Sequence, residues 1–178
     1  LLSRETGVGR NYNGAPYAGY DQLGNEPFLF TGRIDPRLES VARVVGIYSV
    51  ESGVAYPFSI FESVPIINDT VGDQDIVIFY APDTTSGFSS ALGQGNRVIG
   101  STGVYNPKLD GQKLVFKVES GRIVDEQTGS VWNMLGKAVE GELTGKQLEP
   151  IVHANHFWFA WSAFFPASEL RTAEYFGA

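Results

Sequence analysis

The sequence predicts a mainly β fold, a β-sandwich or partly open barrel carrying one short buried helix near its C-terminus, with an α+β arrangement as the alternative. Three observations predict it. Short runs rich in Val, Ile, Phe and Tyr recur along the chain, glycine-containing turn signals separate them, and helical patterning is confined to the last third.

Taken in order, residues 1–37 are dense in Gly, Asn, Pro and Tyr and follow neither a helical nor a strand period. They predict an extended arm whose Tyr12, Tyr17, Tyr20 and Phe28 supply surface for packing on its own chain or on a neighbour. Residues 38–178 predict a single β-rich domain. Within it, residues 41–50 and 54–61 read as a hairpin about the turn 51–53, and residues 64–71 and 74–81 as a second about Gly72-Asp73. The continuous apolar run from Ile76 to Tyr80 has the texture of a strand buried on both faces and marks the centre of the core. Further short strands are expected at 87–92, 97–102, 113–118 and 122–124. The helix is expected over 155–165, with Asn155 as its N-cap and Pro166 just beyond its end, and a shorter one over 145–148.

Composition narrows the function. The chain has 178 residues, 43% hydrophobic and 19% charged, enough to bury a core of its own. Thirteen basic against twenty acidic side chains give a net charge of −7, which argues against a nucleic-acid partner. The absence of cysteine excludes disulfides, thiolate metal sites and thiol catalysis. The longest apolar run, 157–166, is too short to span a membrane, which takes about 20 residues. A first residue that is leucine, with no basic-then-apolar opening, reads as a processed mature form, and together with the lack of thiols it points to an extracytoplasmic location.

The most specified stretch is Asp125 with Thr128-Gly129-Ser130-Val131-Trp132, continued by Gly141 and Gly145. Gly129 suits a tight turn at positive φ, Ser130 can bond back to it, Trp132 can plug the core, and Asp125 can accept the turn's amide hydrogens. It reads as an architectural clasp. Metal chemistry would have to use His153 and His156, three residues apart and on one face of a helix start. Acyl transfer would need Ser86 or its neighbours after Asp83, with His156 as base and Asp125 as orienter, but no Gly-x-Ser-x-Gly elbow accompanies them. An Asx-turn at Asp83 is the plainer reading. Asn68-Asp69-Thr70 matches the N-glycosylation pattern.

Tyr56-Pro57, Ile67-Asn68-Asp69-Thr70-Val71-Gly72, Ile76-Val77-Ile78-Phe79-Tyr80-Ala81-Pro82, the Asp125 to Trp132 motif, Gly141-Glu142-Leu143-Thr144-Gly145 and Phe157-Trp158-Phe159-Ala160-Trp161 before Pro166 occur in one order. Over about residues 40–170 this resembles the prokaryotic family catalogued as domain of unknown function three-one-seven-nine. The resemblance implies a strand over 76–81 that in relatives often ends in a Cys-Pro pair. Here the pair is Ala81-Pro82, and alanine is neither nucleophile nor ligand. The expectation is therefore a non-catalytic extracytoplasmic structural or protein-interaction module, without cofactor, whose arm contacts another copy or a neighbouring subunit. The alternative is a small metal-binding protein or hydrolase with a site at the end of strand 76–81 near His156 and Asp125.

Overall fold

The computed structural model describes residues 17–48, 53–87 and 97–178. The fold is mainly β, built from open sheets in layers with no closed barrel. The strands are β1 (Arg43–Tyr48), β2 (Gly53–Pro57), β3 (Ile66–Val71), β4 (Gln74–Ala81), β5 (Ser101–Asn106), β6 (Lys108–Leu109), β7 (Gln112–Lys113), β8 (Phe116–Glu119), β9 (Arg122–Asp125), β10 (Val131–Trp132), β11 (Ala138–Glu140), β12 (Glu149–Pro150) and β13 (His153–Phe157). The helix α1 (Trp158–Phe164) and the strand β14 (Glu169–Leu170) follow.

Three sheets of four strands stack beneath the helix, in the orders β13-β1-β2-β14, β12-β5-β4-β3 and β11-β10-β9-β8. Alternation along β4 shows how. Ile76 and Ile78 face Val45, Ile47, Val54 and Tyr56 of the first sheet, whereas Val77 and Phe79 face Phe116, Trp132 and Ala138 of the third. The middle sheet thus buries both faces, and its Ile76 to Phe79 run is fully enclosed. Asn68 stitches the second layer to the third, since its amide donates to Phe116 O and accepts from Phe116 N, both at 2.8 Å. That double bond commits the side chain which the glycosylation pattern would modify.

On its outer face the first sheet carries α1. Val44 and Ala55 meet Trp158 and Trp161 there, and the Trp161 indole lies across Gly46 and Gly53, where any side chain would collide with the ring. These two glycines make the slot in which the helix sits.

Several local expectations give way to tertiary demands. Residues 58–61, expected as strand, form a 3-10 turn, Phe58–Glu62, that buries Ile60 and Phe61 while carrying the chain from the first sheet to the second. The strand expected over 97–102 forms instead as β5, because Gly100 takes φ +75° with the Tyr80 ring packed against it, and Val98 makes only an isolated bridge to Thr85. Most of the strand expected over 87–92 lies outside the described residues. The stretch 113–118 breaks at Leu114, whose side chain turns into the core. No helix forms over 145–148. Gly145 sits at φ +89°, and Gln147 bridges Lys137. The C-terminal helix begins three residues later than expected. Asn155 lies inside β13, where its Oδ1 accepts the Thr102 hydroxyl at 2.7 Å, and Phe157 precedes the helix without a side-chain cap.

Residues 17–37 form successive turns against the domain. Tyr17, Tyr20 and Phe28 cluster with ring centroids 5.4–6.4 Å apart, and Tyr20 meets Phe157 edge-on at 5.8 Å. Tyr12 lies outside the described residues.

Candidate functional site

The hairpin loop between β9 and β10 carries the motif around Asp125. Asp125 is the last residue of β9 and is 0% exposed. Its carboxylate accepts the Thr128 amide at 2.7 Å, the Thr128 hydroxyl at 2.9 Å and Trp132 Nε1 at 2.9 Å. Gly129 turns the chain at φ +69° and donates to Asp125 O at 3.0 Å. Ser130, fully buried, lies 2.7 Å from the Thr128 hydroxyl and accepts the Leu143 amide at 3.0 Å. Gly141 passes so close to Ser130 that a Cβ there would lie 2.8 Å from its Cα. Gly145, by contrast, faces open space and serves only its turn. The loop binds a carboxylate, two hydroxyls and an indole to one another, and each polar atom of Asp125 is spent inside it.

The end of β4 is a second centre. Asp83 is exposed in the turn after Ala81, and Thr84 bonds Ser101 at 2.8 Å. Ser86 is buried and its hydroxyl donates not to an imidazole but to Asp21 Oδ2, at 2.6 Å. Asp21 also accepts Arg43 at 2.5 Å on the same oxygen, and its other oxygen pairs with Arg97. Burial pulls the Asp21 carboxyl upward, but hydrogen bonds from Arg97, Ser86 and Arg43 outweigh it and hold it down at about 2.

The two histidines belong to β13, not to a helix. Three residues apart on a strand, they point to opposite faces. His156 pairs with Val44 and stands against Trp161 on the helix side, ring centroids 5.3 Å apart, whereas His153 pairs with Ile47 on the side of the second sheet and bonds Ile151 O at 2.8 Å. The shared helical face expected for a metal pair therefore does not form, because the chain stays extended until Trp158. Among the described residues no group of three or more His, Asp or Glu side chains converges as metal ligands would. Burial lowers the pKa of His156, and its Nε2 lies 3.4 Å from the Tyr48 hydroxyl. Beside it opens a hollow of about 380 Å³ lined by Tyr48, His156, Ala160, Trp161, Phe164 and Phe165, with Phe164 82% exposed.

The candidate catalytic residues thus divide among four environments. Asp125 belongs to the third sheet, His156 to the outer face of the first and Ser86 to the Asp21 cluster, while Asp83 stands in solvent. The model of the family described as protein of unknown function (DUF3179) matches residues 1–168. The chain belongs to the DUF3179 family. No curated protein and no solved structure matches it.

In this DUF3179 protein the position where the sequence resemblance implies a cysteine is Ala81, the last residue of β4, whose Cα partner is Ser101 on β5. Sequence reasoning passed over a further polar centre at the C-terminal end. Arg171, buried, donates to Asp69 at 2.5 Å and to Thr70 O at 2.8 Å from one nitrogen, and grips Glu169 through two bonds at 3.0 and 2.9 Å. Tyr56 donates to the same Asp69 oxygen at 2.8 Å. Burial, and then the neighbouring Asp69 charge, raise the Tyr56 pKa well beyond the ordinary phenol. Burial opposes the charge of Arg171, yet Glu169 and Asp69 outweigh it and raise its pKa further. One cue existed in the sequence: Asp69 lies amid Ile67 and Val71 on a strand side that points inward, and a buried carboxylate demands a partner.

Proposed function

We propose that this protein is a non-catalytic structural or protein-interaction module that acts outside the cytoplasm as a subunit of a larger assembly. The observation that carries the proposal is the aromatic hollow at the C-terminal end of α1. Phe164 stands almost free in solvent beside Phe165, Trp161 and Tyr48, whose rings contact one another at centroid distances of 4.4–5.4 Å, Phe165 stacked on Trp161 and Tyr48 tilted or edge-on to both. A rigid group of large aromatic rings around a solvent-facing hollow has the composition of an interface hot spot. The rest of the polar chemistry favours the same reading, since Asp125 uses its hydrogen bonds to fix its own loop and Ser86 and Arg171 use theirs to join one segment to another. Nucleic acid has no place in this reading, given the acidic balance of the chain.

Mass photometry and sedimentation of the protein, alone and after mild cross-linking in its native host, test the proposal. A defined assembly is expected for the wild type, lost in Phe164→Ser and kept in Val152→Ser, a change at another exposed apolar side chain. Circular dichroism reports that both variants fold. A protein that is monomeric under every condition, with Phe164→Ser indistinguishable from wild type, would overturn the reading.

A further inference from the structure

Asp21 reaches the domain from a segment that no strand pairing among the described residues holds. The backbone-to-backbone hydrogen bonds described for residues 17–30 close within the segment, Tyr20 N on Tyr17 O at 3.0 Å, Gln22 N on Gly19 O at 3.1 Å and Asn25 N on Gln22 O at 3.1 Å, while the Gly24 amide donates to Glu39 Oε2 at 2.6 Å. Side chains do the attaching, through the aromatic cluster on Phe157, Phe30 on Phe159, the Glu39 carboxylate on the Gly24 amide and Asp21 itself.

The groups that receive Asp21 all belong to the domain. Arg43 opens β1, its guanidinium carbon 5.0 Å above the Phe157 ring. Ser86 and Arg97 face each other across an irregular ladder in which Ser86 N donates to Arg97 O at 2.8 Å and Thr85 bridges Val98. Their donors approach one carboxylate from two sides, Arg43 and Ser86 at Oδ2 and Arg97 at Oδ1. Two guanidinium charges therefore surround a single carboxylate whose side chain is 0% exposed, in a chain whose net charge is −7. Converging planar cations with a hydroxyl between them are the chemistry by which proteins hold carboxylates.

We infer that Arg43, Arg97 and Ser86 form a binding site for a small carboxylate ligand, and that Asp21 fills it as a built-in competitor on a segment able to lift away. A ligand carboxylate takes the place of the Asp21 carboxylate oxygen for oxygen, exchanging its hydrogen bonds and ion pairs to Arg43, Ser86 and Arg97 with no covalent bond made or broken. A tethered competitor acts at an effective concentration on the order of mM, so a free carboxylate has to exceed that range to displace it. Binding at this site and release of residues 17–30 are one event, which makes the segment a reporter of the ligand. The inference is independent of the aromatic hollow.

Asp21→Ala in the full chain, titrated calorimetrically with succinate, tests it. Saturable binding is expected, at least about tenfold tighter than to the wild type, and weakened about tenfold or more in Asp21→Ala/Arg43→Gln, as the loss of one charge-assisted donor requires. Sodium chloride at matched ionic strength is the control. A folded Asp21→Ala that shows no saturable binding, or none beyond that of chloride, overturns the site, as does a second substitution at Arg43 without effect. Should Asp21→Ala not fold, hydrogen exchange of the wild type decides. Succinate at ~50 mM, above the tethered range, is expected to speed exchange at the Tyr20, Gln22 and Asn25 amides relative to chloride. Unchanged rates there refute the inference.

Discussion

Replacing Asp125 by alanine removes the acceptor at the centre of the β9–β10 loop. Three donors lose their partner, the Thr128 amide, the Thr128 hydroxyl and Trp132 Nε1. The indole nitrogen belongs to a ring only 3% exposed and has no water to turn to, so its desolvation costs ~1–3 kcal/mol by itself. The Thr128 groups are half-buried and recover part of theirs from solvent, which adds ~1–2 kcal/mol for bonds made to an ionised acceptor. A loss of ~2–5 kcal/mol results, large for a protein whose whole stability is of order 10 kcal/mol. Urea unfolding followed by tryptophan fluorescence measures it, with an unchanged m-value to show that the change lies in stability.

A double-mutant cycle isolates the central bond. In Trp132→Phe the orphaned donor is gone, so adding Asp125→Ala to it is expected to cost ~1–3 kcal/mol less than in the wild type. If Asp125→Ala destabilises by under ~1 kcal/mol, or if the two changes add without coupling, the loop is not the clasp its hydrogen bonds describe.

Arg171→Met leaves the Asp69 carboxylate, only 10% exposed, without its cation, and is expected to cost ~3–5 kcal/mol by urea unfolding, whereas a loss under ~1 kcal/mol would mark the ion pair as incidental. Because the folded Asp21 carboxyl lies near 2, below its unfolded value of ~4, its contribution is complete above pH ~4 and fades as pH falls toward 2. The urea midpoint of the wild type should therefore drop more steeply over that window than that of Asp21→Asn. Burial lowers the His156 pKa, so the unfolded chain takes up that proton first and acidification from pH ~6.5 costs stability, a slope that His156→Gln should flatten. Gly46→Ala drives a methyl into the Trp161 ring and should cost ~1–3 kcal/mol and shift the near-ultraviolet dichroism of the indole.

What the sequence made legible is what its partners make local. The β3–β4 hairpin could be read because its turn, Gly72-Asp73, and its apolar run sit side by side, and the middle-sheet position of β4 followed from side chains apolar on both faces. The loop at Asp125 could be read because its carboxylate meets partners no more than seven residues away. The strand β13 could not, since an aromatic-rich stretch satisfies helix and strand alike until pairing with β1 decides it. The two buried ionic centres were beyond reach for a plainer reason. Asp21 finds Ser86 across 65 residues and Asp69 finds Arg171 across 102, and no local pattern encodes such a meeting. Their position explains their use. Asp21 ties the N-terminal segment to the first residue of β1, while Arg171, paired through Glu169 beside β2, ties the C-terminal segment to β3. Each buried charge therefore sits where a flanking segment meets the layered core. Ion pairs placed in this way set how firmly those flanking segments are held against the sheets, and local opening of each segment has to break one such buried contact.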